Sequence, residues 1–516
     1  MTEHFTGIDW IVIAAYFAAS LAIGFAVYRR TRSPEAFTAA KRSLPGWVCG
    51  LSIFATYVSS ISFLALPGKA FASNWNPFVF SLSLPLTTWI AVRYFLPWYR
   101  AGGDVSAYAH LERRFGPWAR AYAGFFYLLT QLARMGTVLY LMALPMSILM
   151  GWDLKTIILV TGVSVTMYSL LGGIVAVIWT DALQAVVLIV GAVACAGFIL
   201  FNMPEGPAQV FSIAAEHHKF NLGSLGPSVT ESTFWVTLTY GIIINLQNFG
   251  IDQNYVQRYI ASRSDGDARR SVWLGGLLYV PVSAVFFLIG TGLFAFYQTH
   301  PDDMGKLRHA VAAQNTAGPS ADSLTVEQIS DKALPFFIGS RLPRGLTGLV
   351  IAGIFAAAMS TISTCLNSSA TLLLTEVYQR YIDPGVSQRR AMLVLYVTSF
   401  VWGGLGTAAG LALIPISRQI LNALDTWWLL SGIFSGGMLG LFLLGRMLKR
   451  PSNPAAMIAV IVGIVAILWM TLSPRLSGVP AALQVHLHPF LIPVVGTLVI
   501  LLSGLILTRI LRKFES

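Results

Sequence analysis

Two stretches of the chain carry an unusual density of oxygen atoms for such apolar surroundings. Residues 52–63 read Ser-Ile-Phe-Ala-Thr-Tyr-Val-Ser-Ser-Ile-Ser-Phe and run on to Pro67-Gly68. Residues 356–369 read Ala-Ala-Ala-Met-Ser-Thr-Ile-Ser-Thr-Cys-Leu-Asn-Ser-Ser. In the second stretch Ala357, Ser360 and Thr361 stand at i, i+3, i+4 and share one helix face; Ser360, Ser363 and Thr364 repeat that relation one turn on. Stacked hydroxyls, supplemented by backbone carbonyls, suit a hard monovalent cation, which wants oxygen ligands and little else. The first stretch could unwind over 55–59, where freed carbonyls would line a cavity and not face lipid. Small residues and hydroxyls also serve tight helix packing. Two such stretches in one chain favour the binding reading.

Ionisable residues inside apolar segments are costly, so each is a site candidate. Arg134 lies mid-segment in Leu132-Ala133-Arg134-Met135-Gly136. It either braces a neighbouring helix through backbone carbonyls or faces a cavity, where its fork would take a carboxylate in a bidentate pair. Asp181 follows Trp179-Thr180 at the start of a long apolar run. It either offsets a helix dipole or serves as a cation ligand. Arg93 sits nearer a segment end and is expected to snorkel. Asp252 and Glu376 lie near segment ends and read as boundary acids.

These residues need elements that hold them inside a bilayer. Of the 516 residues 55% are hydrophobic and 11% charged, with a mean hydropathy of +0.68. A soluble protein would carry about a quarter charged residues. Apolar runs long enough to cross a membrane recur from end to end. Read between polar punctuation they give about thirteen spans, at 8–28, 48–68, 76–97, 121–150, 154–173, 178–202, 233–253, 273–297, 345–378, 391–413, 424–445, 455–473 and 489–510. The expected class is an all-α integral membrane protein forming one transporter domain over 1–516. The first run lacks a basic stretch before it and a small-residue cleavage site after it, so it reads as a helix and not a cleaved leader. Of the 34 Lys and Arg residues, 22 fall in 29–42, 98–120, 254–272, 379–390, 446–450 and 509–513, and ten in the opposite set of loops. The positive-inside rule then puts the N-terminus outside and the C-terminus in the cytoplasm, which an odd number of spans allows. The net charge of +12 follows from this loop bias and needs no nucleic-acid partner. The loop at 298–344 is polar, with room for a short helix.

Taken together, four motifs resemble the sodium:solute symporter family: Phe54-Ala55-Thr56-Tyr57-Val58-Ser59-Ser60, Gly172-Gly173 through Trp179-Thr180-Asp181, Asp252-Gln253 through Gln257-Arg258-Tyr259, and Ala357 through Leu366-Asn367-Ser368. The resemblance covers about 8–445. It implies the LeuT-type fold, with two inverted repeats of five helices at 48–202 and 233–445, an extra helix at 8–28, and two C-terminal helices at 455–510. It implies a sodium site at Ala55, Val58, Ala357, Ser360 and Thr361. The second sodium site found in bacterial sialic acid transporters of the family would fall on Asp181, Ser360, Ser363 and Thr364. Their substrate arginine corresponds to Arg134, and Ser59 also matches; Ser62 replaces Thr, Tyr57 replaces a small hydroxyl residue, and Ser81 stands near a position of Gln. Asn245 and Gln247 are either polar substrate contacts or helix-packing glue.

The resulting expectation is a sodium-coupled symporter. It would import a small polar solute by alternating access, with one or two Na+ per cycle. The solute would be a carboxylate-bearing sugar such as sialic acid; the alternatives are a neutral sugar, an amino acid, another organic anion, or a proton-coupled carrier of the same fold. Hydroxyls bind sodium but do not titrate, which argues against proton coupling. The chain would work as a monomer in the lipid of the bacterial inner membrane. No P-loop and no catalytic constellation is present, so an ATP-driven pump or an enzyme is not expected. Cys49, Cys195 and Cys365 read as small buried residues and His486/His488 as loop residues. The ladder Gly432, Gly436, Gly440 reads as helix packing within the chain.

Overall fold

Backbone N–H and C=O groups in hydrocarbon can be satisfied within helices or a closed barrel, and the apolar runs of this chain wind into helices. The computed structural model describes residues 5–28, 33–170, 173–313, 320–417, 423–434, 437–448, 451–476 and 479–515. Gly172 and Gly436 lie outside them.

In chain order the helices that matter are α1 (Gly7–Tyr28), α2 (Gly46–Tyr57), α3 (Ile61–Ala72), α4 (Asn76–Gly102), α5 (Ala109–Phe115), α6 (Pro117–Met150), α7 (Leu154–Leu170), α8 (Gly173–Phe201) and α9 (Phe234–Ile251). They continue as α10 (Gln253–Ala261), α11 (Asp265–Thr299), α12 (Leu346–Ile382), α13 (Gln388–Ser417), α14 (Ala423–Phe434), α15 (Met438–Met447), α16 (Asn453–Leu472) and α17 (Leu491–Glu515). Among the described residues each apolar segment read from the sequence overlaps helix. Among the described residues nine helices are long and apolar enough to cross a membrane, and the bent pair α2–α3 makes ten. The segments α7, α9 and α14–α15 fall short of that standard, being short, interrupted or more polar. Large apolar side chains stay exposed along the outer faces, as with Ile11 at 68% and Ile461 at 60%, the pattern of a lipid-facing surface.

Helix starts are set by local chemistry. Ser264 Oγ accepts from the Asp267 N–H at the head of α11, and Thr233 Oγ1 accepts from the Val236 N–H at the head of α9. The Asp9 carboxylate of α1 accepts from the N–H groups of Gly345 and Gly348, both at 2.8 Å, and so caps the start of α12 from another helix.

Helix α11 lies along both halves of the bent pair, and α8 lies along α12. The approach of α11 to α3 is backbone-close: a Cβ at Gly290 would stand 2.1 Å from the Pro67 carbonyl oxygen. Only a residue without a side chain permits that crossing.

The sequence reading needs two adjustments. Residues 254–272 were assigned to a loop, yet 253–261 form α10, every residue of which is buried. The loop at 298–344 holds two helices among its described residues, Pro301–Ala313 and Val326–Arg341. In both places low hydropathy concealed the helix. In α10 polar side chains find partners on other elements, Gln253 at Ala107, Asn254 at Gln131, Gln257 at Thr371 and Arg258 at Asp181, so it needs no apolar face.

Candidate functional site

The site begins with a helix that stops. Helix α2 ends at Tyr57, Val58 takes an extended conformation (φ −80°, ψ 127°), and the chain bends by 58° before α3. A helix that ends leaves its last carbonyls without partners. The Phe54 carbonyl takes the Val58 N–H at 2.9 Å. The Ser59 N–H, which would have continued the helix to Ala55, meets the Ser62 Oγ instead. The Ala55 and Thr56 carbonyls are then satisfied from other helices. Ser360 Oγ of α12 donates to the Ala55 oxygen at 2.9 Å, and Arg134 Nη2 of α6 donates to the Thr56 oxygen at 2.5 Å.

Ser360 Oγ and Thr361 Oγ1 each also lie 3.1 Å from the Ala357 carbonyl. Two carbonyl and two hydroxyl oxygens therefore meet where the broken helix touches α12. All four residues are buried, as is Val58 at the break. This is an oxygen-rich niche without a titratable group, the chemistry a monovalent cation needs.

A different arrangement lies deeper. Asp181 sits about two turns inside α8, not at its start. Its Oδ2 accepts from Ser52 Oγ at 2.6 Å and from Arg258 Nη2 at 2.8 Å, with both charged side chains fully buried. Arg258 spends its other donors on Ser52 Oγ (2.7 Å), the Asn254 carbonyl (2.6 Å) and Thr364 Oγ1 (2.7 Å). Asp181 Oδ1 is buried without a hydrogen-bond partner, so the carboxylate keeps acceptor capacity facing the interior. Ser363 Oγ is bonded to the Ser360 carbonyl at 3.2 Å, and Thr56 and Thr364 face each other at 3.4 Å. Asp181 and Thr364 are thus joined through Arg258, while Ser360 and Ser363 sit one turn along α12.

The third part is a cavity of about 70 Å³ above the break. Tyr57, Ser59, Ser62, Ser81 and Arg134 line it together with Phe80, Tyr240, Asn248, Tyr255, Tyr279, Trp427 and Trp428. Aromatic faces with a few directed polar groups are the usual makeup of a solute pocket. The volume is well under the roughly 300–1,000 Å³ of a typical ligand pocket, so a sugar-sized guest requires the aromatic walls to part. Tyr57 fills much of the space: its ring stands edge-on to Tyr279 at 4.4 Å between centroids, and its hydroxyl donates to Asn245 Oδ1. Ser81 Oγ pairs with Ser283 Oγ at 2.8 Å. Arg134 has Tyr255 beside it, and no carboxylate stands within ion-pair distance of it among the described residues.

Asn245 and Gln247 do not line this cavity. Asn245 gives its amide hydrogens to the Phe80 carbonyl and Ser83 Oγ while accepting from Tyr57. It ties α9 to α4. Asn248, one turn further, points to the cavity instead. Sequence reasoning assigned no role to Arg258, although its motif was in view, because it fell in a presumed loop. The signal was its company: Gln253, Asn254 and Gln257 on a nine-residue polar stretch next to an apolar span.

Comparison with known proteins bears on the family and the fold. The model of the sodium:solute symporter family matches residues 37–463. The chain is 31% identical over 508 residues to the sodium/sialic acid symporter NanT of Aliivibrio fischeri, covering 97% of this chain and 93% of that one. It is 32% identical over 469 residues to the sodium/sialic acid symporter SiaT of Proteus mirabilis, covering 90% of each. The solved substrate-bound, outward-open state of a Na+-coupled sialic acid symporter superposes with a TM-score of 0.85 at 30% identity and 98% coverage of both chains. Mhp1, a nucleobase-cation-symport-1 family transporter, shares the fold at a TM-score of 0.53 and 15% identity, over 92% of this chain and 94% of its own in the closed conformation. The chain belongs to the sodium:solute symporter family, has the LeuT-type fold, and is a multi-pass membrane transporter that couples sodium to the movement of a small solute by alternating access.

Proposed function

We propose that the solute is an organic carboxylate, first of all a sugar acid such as sialic acid, and that Arg134 receives its carboxylate. The observation that carries this is a buried guanidinium on a cavity wall, tethered among the described residues through the Thr56 carbonyl and Tyr255. A guanidinium in that setting retains N–H donors for a bidentate partner. The likeness to two sialic acid symporters supports the same choice. Tyr57, Ser59, Ser62 and Ser81 would complete the pocket, with Asn245 and Gln247 acting through the wall behind it.

The first sodium ion would sit among the Ala55, Val58 and Ala357 carbonyls and the Ser360 and Thr361 hydroxyls. That position ties the broken helix to α12. Occupancy there would hold α2 against α12 and set the Thr56 carbonyl that positions Arg134, so sodium and solute sites share a backbone link of one residue. A ligand can shift a conformational equilibrium only by its differential affinity for the two states, and this link supplies such a difference. A second sodium ion would use Asp181, Ser360, Ser363 and Thr364, with Asp181 Oδ1 as the acceptor still open. The thirteen-span count, the two inverted repeats with the 8–28 helix outside them, an external N-terminus, the bacterial inner membrane and a monomeric working unit complete the reading.

A smaller organic carboxylate is the second reading. The specific observation for it is the cavity's volume of about 70 Å³, with the Tyr57 ring forming part of its wall.

The test is uptake into proteoliposomes. Labelled N-acetylneuraminate is expected to accumulate only with an inward sodium gradient. Replacing Ser360→Ala should weaken the apparent sodium affinity by roughly tenfold, as for loss of one ion–hydroxyl contact, with little change in solute affinity at saturating sodium. Uptake of a short monocarboxylate but not the sugar acid would select the second reading. Transport unaffected by sodium removal would refute sodium's place in the site.

A further inference from the structure

Several arginines on the face that carries the 98–120 and 446–450 loops are ion-paired. Arg100 meets Asp265 at 2.7 Å, Arg113 meets Asp104 at 2.6 Å, and Arg120 and Arg380 both bind Glu112. One cavity gathers arginines from three helices. Arg93 of α4, Arg114 at the end of α5 and Arg446 of α15 converge on a cleft of about 600 Å³, with Tyr94, Trp98 and His110 as its other walls. No carboxylate lines it. Arg114 is held by its bond to the Leu448 carbonyl at 3.2 Å. Neither Arg93 nor Arg446 is ion-paired among the described residues, and both side chains are exposed. The imidazole of His110 stands edge-on to the Trp98 ring, 3.5 Å between centroids, with Nε2 buried and without a partner among the described residues.

Two guanidinium groups without an ion pair among the described residues, with the Arg114 side chain beside them, make a cleft that attracts an anion. Burial first, and then the neighbouring charges of Arg113, Arg114 and Arg446, hold His110 down at about 4, so it stays neutral beside the arginines. The surroundings identify the anion's carrier. Along α4 the side chains of Leu82, Leu86, Trp89 and Arg93 follow one another at i, i+4, i+7, i+11 on one face, and the three apolar members are exposed, at 38%, 47% and 49%. This stripe leads along a membrane span straight to the cleft, and the exposed Met447 lies beside Arg446. A soluble anion needs no such apolar approach; a lipid with its phosphate at the helix end and a chain along the helix does.

We propose that this cleft binds the phosphodiester headgroup of an anionic phospholipid, with Arg93, Arg114 and Arg446 as phosphate ligands and the outer stripe of α4 as the bed for an acyl chain. Basic pockets between helices at a membrane interface are suited to such headgroups. The site is separate from the sodium and solute positions and holds whichever solute is carried.

The test uses the full-length protein, extracted in mild detergent and exposed to phosphatidylglycerol or phosphatidylethanolamine, with bound lipid counted by native mass spectrometry. Wild-type protein is expected to retain phosphatidylglycerol selectively. Each arginine removed should lower that retention about fivefold, the scale for one basic side chain at an anionic surface. Arg93→Gln alone, at an exposed position, is the conservative probe, and the Arg93→Gln/Arg446→Gln pair the stronger one. Arg93→Lys should keep most binding, and Arg263→Gln, an exposed charge outside the cleft, should leave it unchanged. Equal retention in wild type and both Gln variants, or equal retention of the zwitterionic lipid, would overturn the proposal. The third arm adds inorganic phosphate to lipid-free protein. A thermal shift as large as that from phosphatidylglycerol, abolished by the double variant, would assign the cleft to a free anion and overturn the lipid assignment.

Discussion

Arg134 and Arg258 are both buried at membrane depth, and they make opposite use of the same side chain. Arg258 is nearly filled: a carboxylate, two hydroxyls and a carbonyl take four of its five N–H donors, and both members of its ion pair are sealed from solvent. Arg134 is tethered through a carbonyl freed by the broken helix and faces a cavity with donors to spare. On the function proposed above, the contrast separates a cation that fixes structure from one held ready for a guest. Desolvating a guanidinium costs several kcal/mol in either place. At Arg258 the cost is offset inside the fold. At Arg134 the offset is incomplete, which a carboxylate guest would complete.

The largest expected effect tests the closed member of this pair. Removing one partner of a buried ion pair leaves the other uncompensated and costs about 3–5 kcal/mol. Arg258→Leu should therefore lower the thermal midpoint of the detergent-purified protein sharply, and Asp181→Asn should do so by a lesser amount because Ser52 can still bond the amide oxygen. The double variant Arg258→Leu/Asp181→Asn is expected to regain much of the loss. If the double variant is no better than Arg258→Leu, the pair is not a unit and the contrast with Arg134 fails.

The open member is tested by function. Losing hydrogen bonds between charged groups worth about 1.5–3 kcal/mol implies a roughly 10–100-fold fall in uptake efficiency for Arg134→Ala, with the thermal midpoint close to wild type. Arg134→Lys sharpens the point. It keeps the charge and loses the planar fork, so partial rescue reports charge and absence of rescue reports bidentate geometry. A large stability loss in Arg134→Ala with uptake per folded molecule unchanged would make Arg134 a brace like Arg258.

These two arginines also show what a sequence can convey here. The spans were legible because apolar runs of this length have few ways to exist. The break in α2–α3 was legible in kind, since a Ser- and Thr-rich segment ending in Pro67-Gly68 is a poor continuous helix. Arg134 stood out as a charge among apolar neighbours. Arg258 did not, because α10 is a polar helix whose burial depends on partners far away in sequence: Gln257 reaches Thr371 at 3.0 Å, Asn254 reaches Gln131 at 3.0 Å, and Tyr127 bridges Asn254 and Ser368. Hydropathy is a local average, and no local average carries such contacts. The same holds for Asn245, whose amide is absorbed by Phe80 and Ser83 and not presented to the cavity.

The smallest expected effect concerns charges at the rim, where water competes for every pair. Glu112 accepts from Arg120 at 2.8 Å and from Arg380 at 2.8 Å. Burial raises its carboxyl, but hydrogen bonds and charge from the two arginines outweigh that and hold it below the usual carboxylate range. A depressed carboxylate contributes stability above its unfolded value, and that contribution is lost as the pH falls below about 4.5. His110, at about 4 against its ordinary 6.5, acts over a different window. It is neutral when folded, whereas the unfolded chain takes up its proton near 6.5, so the stability from keeping it neutral declines between pH 6.5 and 4. A thermal-midpoint profile should therefore slope downward in two stages on acidification. His110→Gln is expected to flatten the upper stage and Glu112→Gln the lower one, each by a modest amount because exposed pairs are worth little. If Glu112→Gln instead flattened the range above pH 5, the carboxyl would be raised and not depressed, and the two arginines would not be its partners in the folded protein.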